Sequence, residues 1–116
     1  MIRITFLYPN CNNPRFDLDY YGKKHMPLSV GLLGVHPGFR GVSVDRGISA
    51  TPETVAPYVA LCNFLFETLH DFMEAVTPHL EALRADMKNY TDIEPILQVS
   101  EVLINQPSPT VDRQLS

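Results

Sequence analysis

The sequence predicts an α+β domain, one antiparallel sheet with two helical segments packed on a single face. Three observations carry this. Apolar residues alternate with period two over Ile2–Tyr8. PYVALCNFLF, Pro57 to Phe66, is a long apolar run of strand-forming residues. Helical periodicity appears in two separate stretches, one opening at Asp17 and the other near Leu69.

In chain order, Ile2, Ile4, Phe6 and Tyr8 alternate with Arg3, Thr5 and Leu7, which marks the first strand. The Asn-rich segment from Pro9 to Pro14 ends it as a loop. Asp17 then offers a capping carboxylate, with Phe16 ahead of it as a hydrophobic staple. Leu18, Tyr21, His25, Leu28 and Leu32 follow at helical spacing until Gly34 and Pro37. Phe39 to Ile48 reads as a second strand, loosened and bulged by its glycines. After a turn-rich connector comes the Pro57–Phe66 strand. Leu69, Phe72, Met73, Val76, Leu80, Leu83 and Met87 form the second helical stretch, and Thr77–Pro78 predicts a restart with Thr77 as N-cap. A loop over Asn89 to Glu94 leads through Pro95 into a last strand, ILQVSEVLI. The order is β-α-β-β-α-β, the split βαβ of a ferredoxin-like sheet. Residues 1–105 form one domain, and 106–116 form a proline-containing tail with little to bury, either disordered or packed on a partner subunit.

Composition narrows the function classes. A chain of 116 residues with 45% apolar and 19% charged residues holds one globular core. A net charge of −4, with nine scattered Lys and Arg, speaks against a nucleic-acid surface. No apolar run approaches the roughly 20 residues that span a bilayer. The N-terminus alternates like a strand and does not read as a signal peptide. Cys11 in a polar loop and Cys62 in an apolar run lack CxxC partners, which predicts reduced thiols and a cytoplasmic location.

The strand Val59–Phe66 is apolar on both faces: Val59, Leu61 and Leu65 on one, Ala60, Cys62, Phe64 and Phe66 on the other. The last strand repeats the pattern, with Leu97, Val99 and Leu103 opposite Ile96, Val102 and Ile104. Helices cover one face only, so the other predicts a homodimer packed sheet against sheet. A tilted second helix or the tail folded across is the alternative cover.

The segment FDLDYYGKKHMPL, Phe16 to Leu28, is where chemistry concentrates. Helical phase turns Tyr21 and His25 toward the sheet together with Leu18 and Leu28. Pro27 lacks an N–H and its ring opposes the Lys23 carbonyl, so the helix bends or restarts there. A histidine beside freed carbonyls can donate one ring N–H and keep its other nitrogen as a base, with phenols from Tyr20 and Tyr21 to orient a ligand. Asp17 lies near the same mouth, though capping is its simpler role. Such a His–Tyr pair moves protons on a small apolar molecule without a metal or cofactor. The bland alternative makes His25 a satisfied core residue holding a kink. His36, His70 and His79 show no i, i+4 metal spacing, and no nucleotide-binding pattern occurs.

FDLDYYGKKHMPL resembles the signature of the EthD-like family, an aspartate-bearing helix start followed by a Tyr pair, a histidine and a proline. The resemblance extends through the glycine-containing second strand, PYVALCNFLF and ADMKNYTDIEPILQVSEVL, from Met1 to about Leu103. It implies a dimeric α+β barrel of two ferredoxin-like units. It also implies a pocket built on Tyr21 and His25 as catalytic residues, with Asp17, Tyr20 and Leu28 as ligand-binding ones. The family is named for a protein of fuel-ether degradation beside a cytochrome P450 system. Related barrels include cofactor-free monooxygenases, cyclases, lactone isomerases and haem-handling enzymes, and no pattern for haem is found here. The expected function is binding, and proton-transfer or oxygenase turnover, of a small apolar or aromatic catabolic intermediate. A non-catalytic accessory to a partner oxidoreductase is the alternative.

Overall fold

The structure is a computed structural model and describes residues 1–11 and 14–106. The elements are β1 (Ile2–Pro9), α1 (Leu18–Tyr20), a π turn (Tyr21–His25), α2 (Met26–Leu33), β2 (Phe39–Arg46), β3 (Tyr58–Phe66), α3 (Leu69–Val76), a 3-10 turn (Thr77–His79), α4 (Leu80–Met87) and β4 (Ile96–Glu101). All strand pairings are antiparallel in the order β2-β3-β1-β4, the ferredoxin-like arrangement that alternation and periodicity predict. The predicted tail lies almost wholly outside the described residues.

Alternation along β1 and β3 decides which side chains meet the helices. Ile4, Tyr8, Ala60, Cys62, Phe64 and Phe66 are buried, and Phe72, Ala75 and Val76 of α3 close over them. Burying such apolar surface is the main driving force for the fold. The bulge expected in β2 falls between Phe39 and Gly41, where Gly41 has φ +155°, a backbone state open to glycine. The strand ends at Arg46 rather than Ile48, and β4 ends at Glu101, before the predicted Val102–Ile104.

The face away from the helices is less uniformly apolar than the β3 run suggests. Leu7, Leu61 and Ile96 form one cross-strand row. Beside it runs a polar row, Ser43, Asn63, Thr5 and Gln98, in which Thr5 Oγ1 donates to Asn63 Oδ1 at 2.7 Å. On the helix side, Leu97 and Val99 of β4 are 54% and 48% exposed, so the helices leave that edge open.

Two helix details depart from simple periodicity. Thr77 is not an N-cap. Its hydroxyl donates back to the Met73 carbonyl, and the chain passes through the 3-10 turn into α4. At Pro27 the helix neither bends apart nor restarts. The five residues before Met26 form a π turn, closed by Met26 N–H donating to the Tyr21 carbonyl five residues back. The wider turn changes the phase. Tyr21, His25, Ser29 and Leu33 are buried at intervals of four, while Leu28, which straight helical spacing turns inward, is 41% exposed.

Candidate functional site

Between the sheet and the helices lies a cavity of about 320 Å³. Phe6 and Phe64 rise from its sheet floor, and Met26, Phe72, Leu80 and Met87 form most of its roof. Polar groups gather at one end: Tyr8, Tyr21, His25 and Tyr90. A concave, mostly apolar space with a few convergent polar groups is the usual form of a small-molecule site.

His25 is carried by the π turn, and buried Ser29 fixes that turn by donating its hydroxyl to the His25 carbonyl at 3.0 Å. The ring does not use a freed helix carbonyl. Its Nδ1 lies 2.9 Å from Asp86 Oδ2, a carboxylate from α4. An ionised carboxylate only accepts, so the neutral imidazole carries its proton on Nδ1 and keeps a lone pair on Nε2. Among the described residues Nε2 has no hydrogen-bond partner, and no buried side-chain nitrogen or oxygen lacks one, so Nε2 is open to the cavity surface.

Asp86 is itself held in place. Tyr20 donates its hydroxyl to Oδ1 at 2.7 Å, and Asn89 donates to the same oxygen at 3.1 Å. Burial alone would raise the Asp86 carboxyl, but donation from Tyr20, His25 and Asn89 outweighs it and holds the carboxyl below the ordinary range. Its folded-state pKa is therefore below the unfolded one. The resulting stability is present above about pH 4 and lost as pH falls through the folded value. We expect Asp86→Asn to flatten this part of the acid limb when denaturation midpoints are measured from neutral pH downward. An acid limb as steep as wild type would contradict the shift.

Tyr90 comes from the loop after α4. That loop is pinned to the start of α1 by Asp17 N–H donating to the Tyr90 carbonyl at 2.8 Å and Thr91 Oγ1 donating to the Arg15 carbonyl at 2.7 Å. Tyr90 is fully buried, and its ring packs on Phe16, Tyr21 and His25 at centroid distances of 5.3, 4.9 and 4.6 Å. Its hydroxyl pairs with that of Tyr8 at 2.8 Å. Tyr21 stacks parallel to His25 at 5.8 Å. The His25 ring is thus held between Tyr21, Tyr90 and the Asp86 carboxylate. Cys62 also lines the cavity, but burial pushes its thiol up to about 12, so it stays protonated and unreactive.

The expected site residues therefore separate. Tyr21 and His25 share the cavity wall. Tyr20 stands one layer behind, oriented on Asp86. Asp17 caps α1 by accepting the Tyr20 N–H at 3.0 Å and does not line the cavity. Leu28 is on the exposed side of α2, displaced from the cavity by the π-turn phase, and Met26 and Ser29 line the wall instead. Reading by residue spacing misses Tyr8, Asp86 and Tyr90. Asp86 and Tyr90 do fall inside ADMKNYTDIEP, one of the segments that carries the family resemblance.

A second cluster lies away from the cavity. His36, Asp71 and Glu74 bring ligand-type atoms within 4.8 Å of one another. His36 Nδ1 accepts the Gly38 N–H at 2.9 Å, which puts its neutral-state proton on Nε2. That nitrogen lies 2.7 Å from Glu74 Oε1 and donates to it. The group clamps the loop before β2 onto α3.

The EthD domain family matches residues 13–94. Among solved structures, the chain is similar to an EthD-like protein from Ralstonia eutropha JMP134, with 32% identity and a TM-score of 0.84, over 90% of this chain and 94% of that one. It is also similar to an ethyl tert-butyl ether D (EthD) family protein from Bacillus halodurans C-125, with 20% identity and a TM-score of 0.65, over 89% and 99% of the two chains. SnoaB, a cofactor-independent oxygenase from Streptomyces nogalater, shares the fold at 11% identity and a TM-score of 0.54, over 92% and 95%. A comparison with curated proteins gave no match.

Proposed function

Because the chain belongs to the EthD family, we propose that its cavity binds a small apolar or aromatic molecule on which His25 moves a proton, held in position by Asp86. The observation that carries this reading is the His25–Asp86 contact at 2.9 Å beside an apolar cavity, with Nε2 unpartnered among the described residues. A positioned imidazole of this kind typically contributes about 10²–10⁴-fold to a proton transfer and needs no metal or cofactor for it. Isomerisation, cyclisation and cofactor-free oxygenation can all begin with that step. The likeness to SnoaB supports the fold alone and does not choose among them.

The proposal extends to assembly and location. Leu7, Leu61, Leu65 and Ile96 lie on the sheet face that no helix covers, which supports a homodimer packed sheet to sheet. Light scattering should give the mass of two 13.1 kDa chains. A single-chain mass ends that part of the proposal. Two free cysteines fit a cytoplasmic home, and among the described residues no helix is long and apolar enough to cross a membrane.

The functional test is a panel of aromatic and lactone metabolites, screened by native mass spectrometry for binding and by NMR for turnover. Wild type and His25→Ala should both bind, with turnover lost by about 10²-fold or more in the variant. Binding without turnover in wild type would make the protein a carrier or an accessory to a partner oxidoreductase. Absence of binding across the panel would count against the cavity as a site.

A further inference from the structure

We infer that the phenols of Tyr8 and Tyr90, beside Tyr21, form a binding site for a carbonyl oxygen, and that the cavity takes neutral carbonyl compounds with an acidic α C–H. The inference rests on the reading of His25 as a base and names the substrate class of that site.

Proton counting carries it. Tyr8 and Tyr90 share a single hydrogen bond at 2.8 Å, and either can be its donor. Whichever donates, the other hydroxyl keeps its own proton. Tyr21 is the neighbouring phenol, its ring 5.8 Å from that of Tyr8 and 4.9 Å from that of Tyr90. Even when Tyr21 joins the pair, three hydroxyls in an open chain make two O–H···O bonds. The third proton is left with the sulfur of Cys62 beside Tyr21, a weak acceptor. The cavity therefore has a phenolic donor in search of an oxygen.

The donors are neutral and fixed. Tyr8 is held in β1 and Tyr90 in the pinned loop; Tyr90 is fully buried and donates to Tyr8, which leaves Tyr8, 3% exposed, to turn its own proton to the cavity. Burial pushes the Tyr8 phenol up to about 12 and the Tyr90 phenol further, so both remain protonated. The cations and anions that line the cavity are Arg84 and Glu94, both exposed. The phenol end itself supplies neutral donors, and Arg84, the cationic side chain on the lining, is exposed. An oxygen that is neutral in the ground state and becomes negative during reaction fits this end better, because pre-oriented donors in a dry site favour developing charge.

The base stands next to them, with the rings of Tyr90 and His25 4.6 Å apart. In the step, His25 Nε2 takes the α proton. The C–H bond breaks, an N–H bond forms, and the electron pair moves into an enolate whose oxygen accepts from the phenol. Return of the proton to the α carbon restores neutral His25 and leaves the compound exchanged or epimerised; where a β,γ double bond extends the enolate to a dienolate, return to the γ carbon yields the conjugated isomer. The sequence is redox-neutral.

The test uses 2-tetralone in D₂O, with α-deuterium uptake followed by proton NMR. Wild type should accelerate exchange over buffer, and Tyr8→Phe and Tyr90→Phe should each lower it by about 10²-fold, the usual loss on removing one oxyanion donor. His25→Ala should abolish it. Should a Phe variant not fold, protein made with 3-fluorotyrosine, whose phenols are more acidic at nearly the same shape, should exchange faster. Equal rates in wild type and the Tyr variants, or no change with 3-fluorotyrosine, overturn the oxygen site and leave His25 as a base. No exchange in wild type, with aromatic ligands still bound, overturns the substrate class alone. Neither exchange nor binding overturns this inference and the proposed function together.

Discussion

Tyr90→Ala should destabilise the domain by about 3–5 kcal/mol, the usual cost of truncating a large buried aromatic. The side chain is fully buried, and it links β1, the π turn and the loop after α4 through Tyr8, Tyr21 and Phe16. Removing it leaves a void at the junction of three elements and strands the Tyr8 hydroxyl without its 2.8 Å partner. Against a typical domain stability of about 5–15 kcal/mol, the loss brings the protein close to unfolding at ambient temperature. Chemical denaturation should show it as a lower midpoint with an unchanged slope. A drop under about 1 kcal/mol would mean that the aromatic cluster relaxes around the void and does not organise the site.

Asp86→Asn should have a large effect on chemistry with little change in shape. Asn can donate to His25 Nδ1, so the imidazole proton moves to Nε2 and the lone pair turns away from the cavity. Where a carboxylate fixes the tautomer of a catalytic histidine, the amide typically costs up to about 10⁴-fold. Asp86 here is partly exposed, and 10²-fold or more is the expected loss in any His25-dependent proton transfer, read by deuterium exchange on a bound ketone. Substrate affinity should hold, because Asp86 does not line the cavity. Exchange within a few-fold of wild type would make the pairing structural only.

The fold was legible in the sequence because each element obeys a local rule. Alternation in Ile2–Tyr8 and the apolar run ending at Phe66 depend only on neighbours one and two positions away. The Asp17 cap was legible for the same reason. The site was legible in part. Tyr21 and His25 stand out because of Pro27, whose missing N–H must be accommodated within one turn. How it is accommodated was hidden: a bend, a restart and a π turn all satisfy Pro27, and only the π turn moves Leu28 outward and Ser29 inward. Asp86 and Tyr90 were hidden for a different reason. Asp86 pairs with a residue 61 positions away and Tyr90 with one 82 positions away, and no period along the chain reports a contact between elements so far apart in sequence. The His36 clamp escaped likewise, since His36 lies in the loop before β2 and its partner Glu74 on α3. The polar row through Asn63 was visible as a residue but not as a row, because its neighbours Ser43, Thr5 and Gln98 are set by register.

The most direct test of His25 as a poised base is nitrogen NMR of its side chain in ¹⁵N-histidine-labelled protein at alkaline pH. The predicted spectrum shows Nδ1 protonated and coupled to the Asp86 contact. Nε2 should appear as an unprotonated ring nitrogen whose shift moves when an aromatic ligand fills the cavity. A proton on Nε2, or an Nε2 signal indifferent to bound ligand, would contradict the account and return His25 to the core.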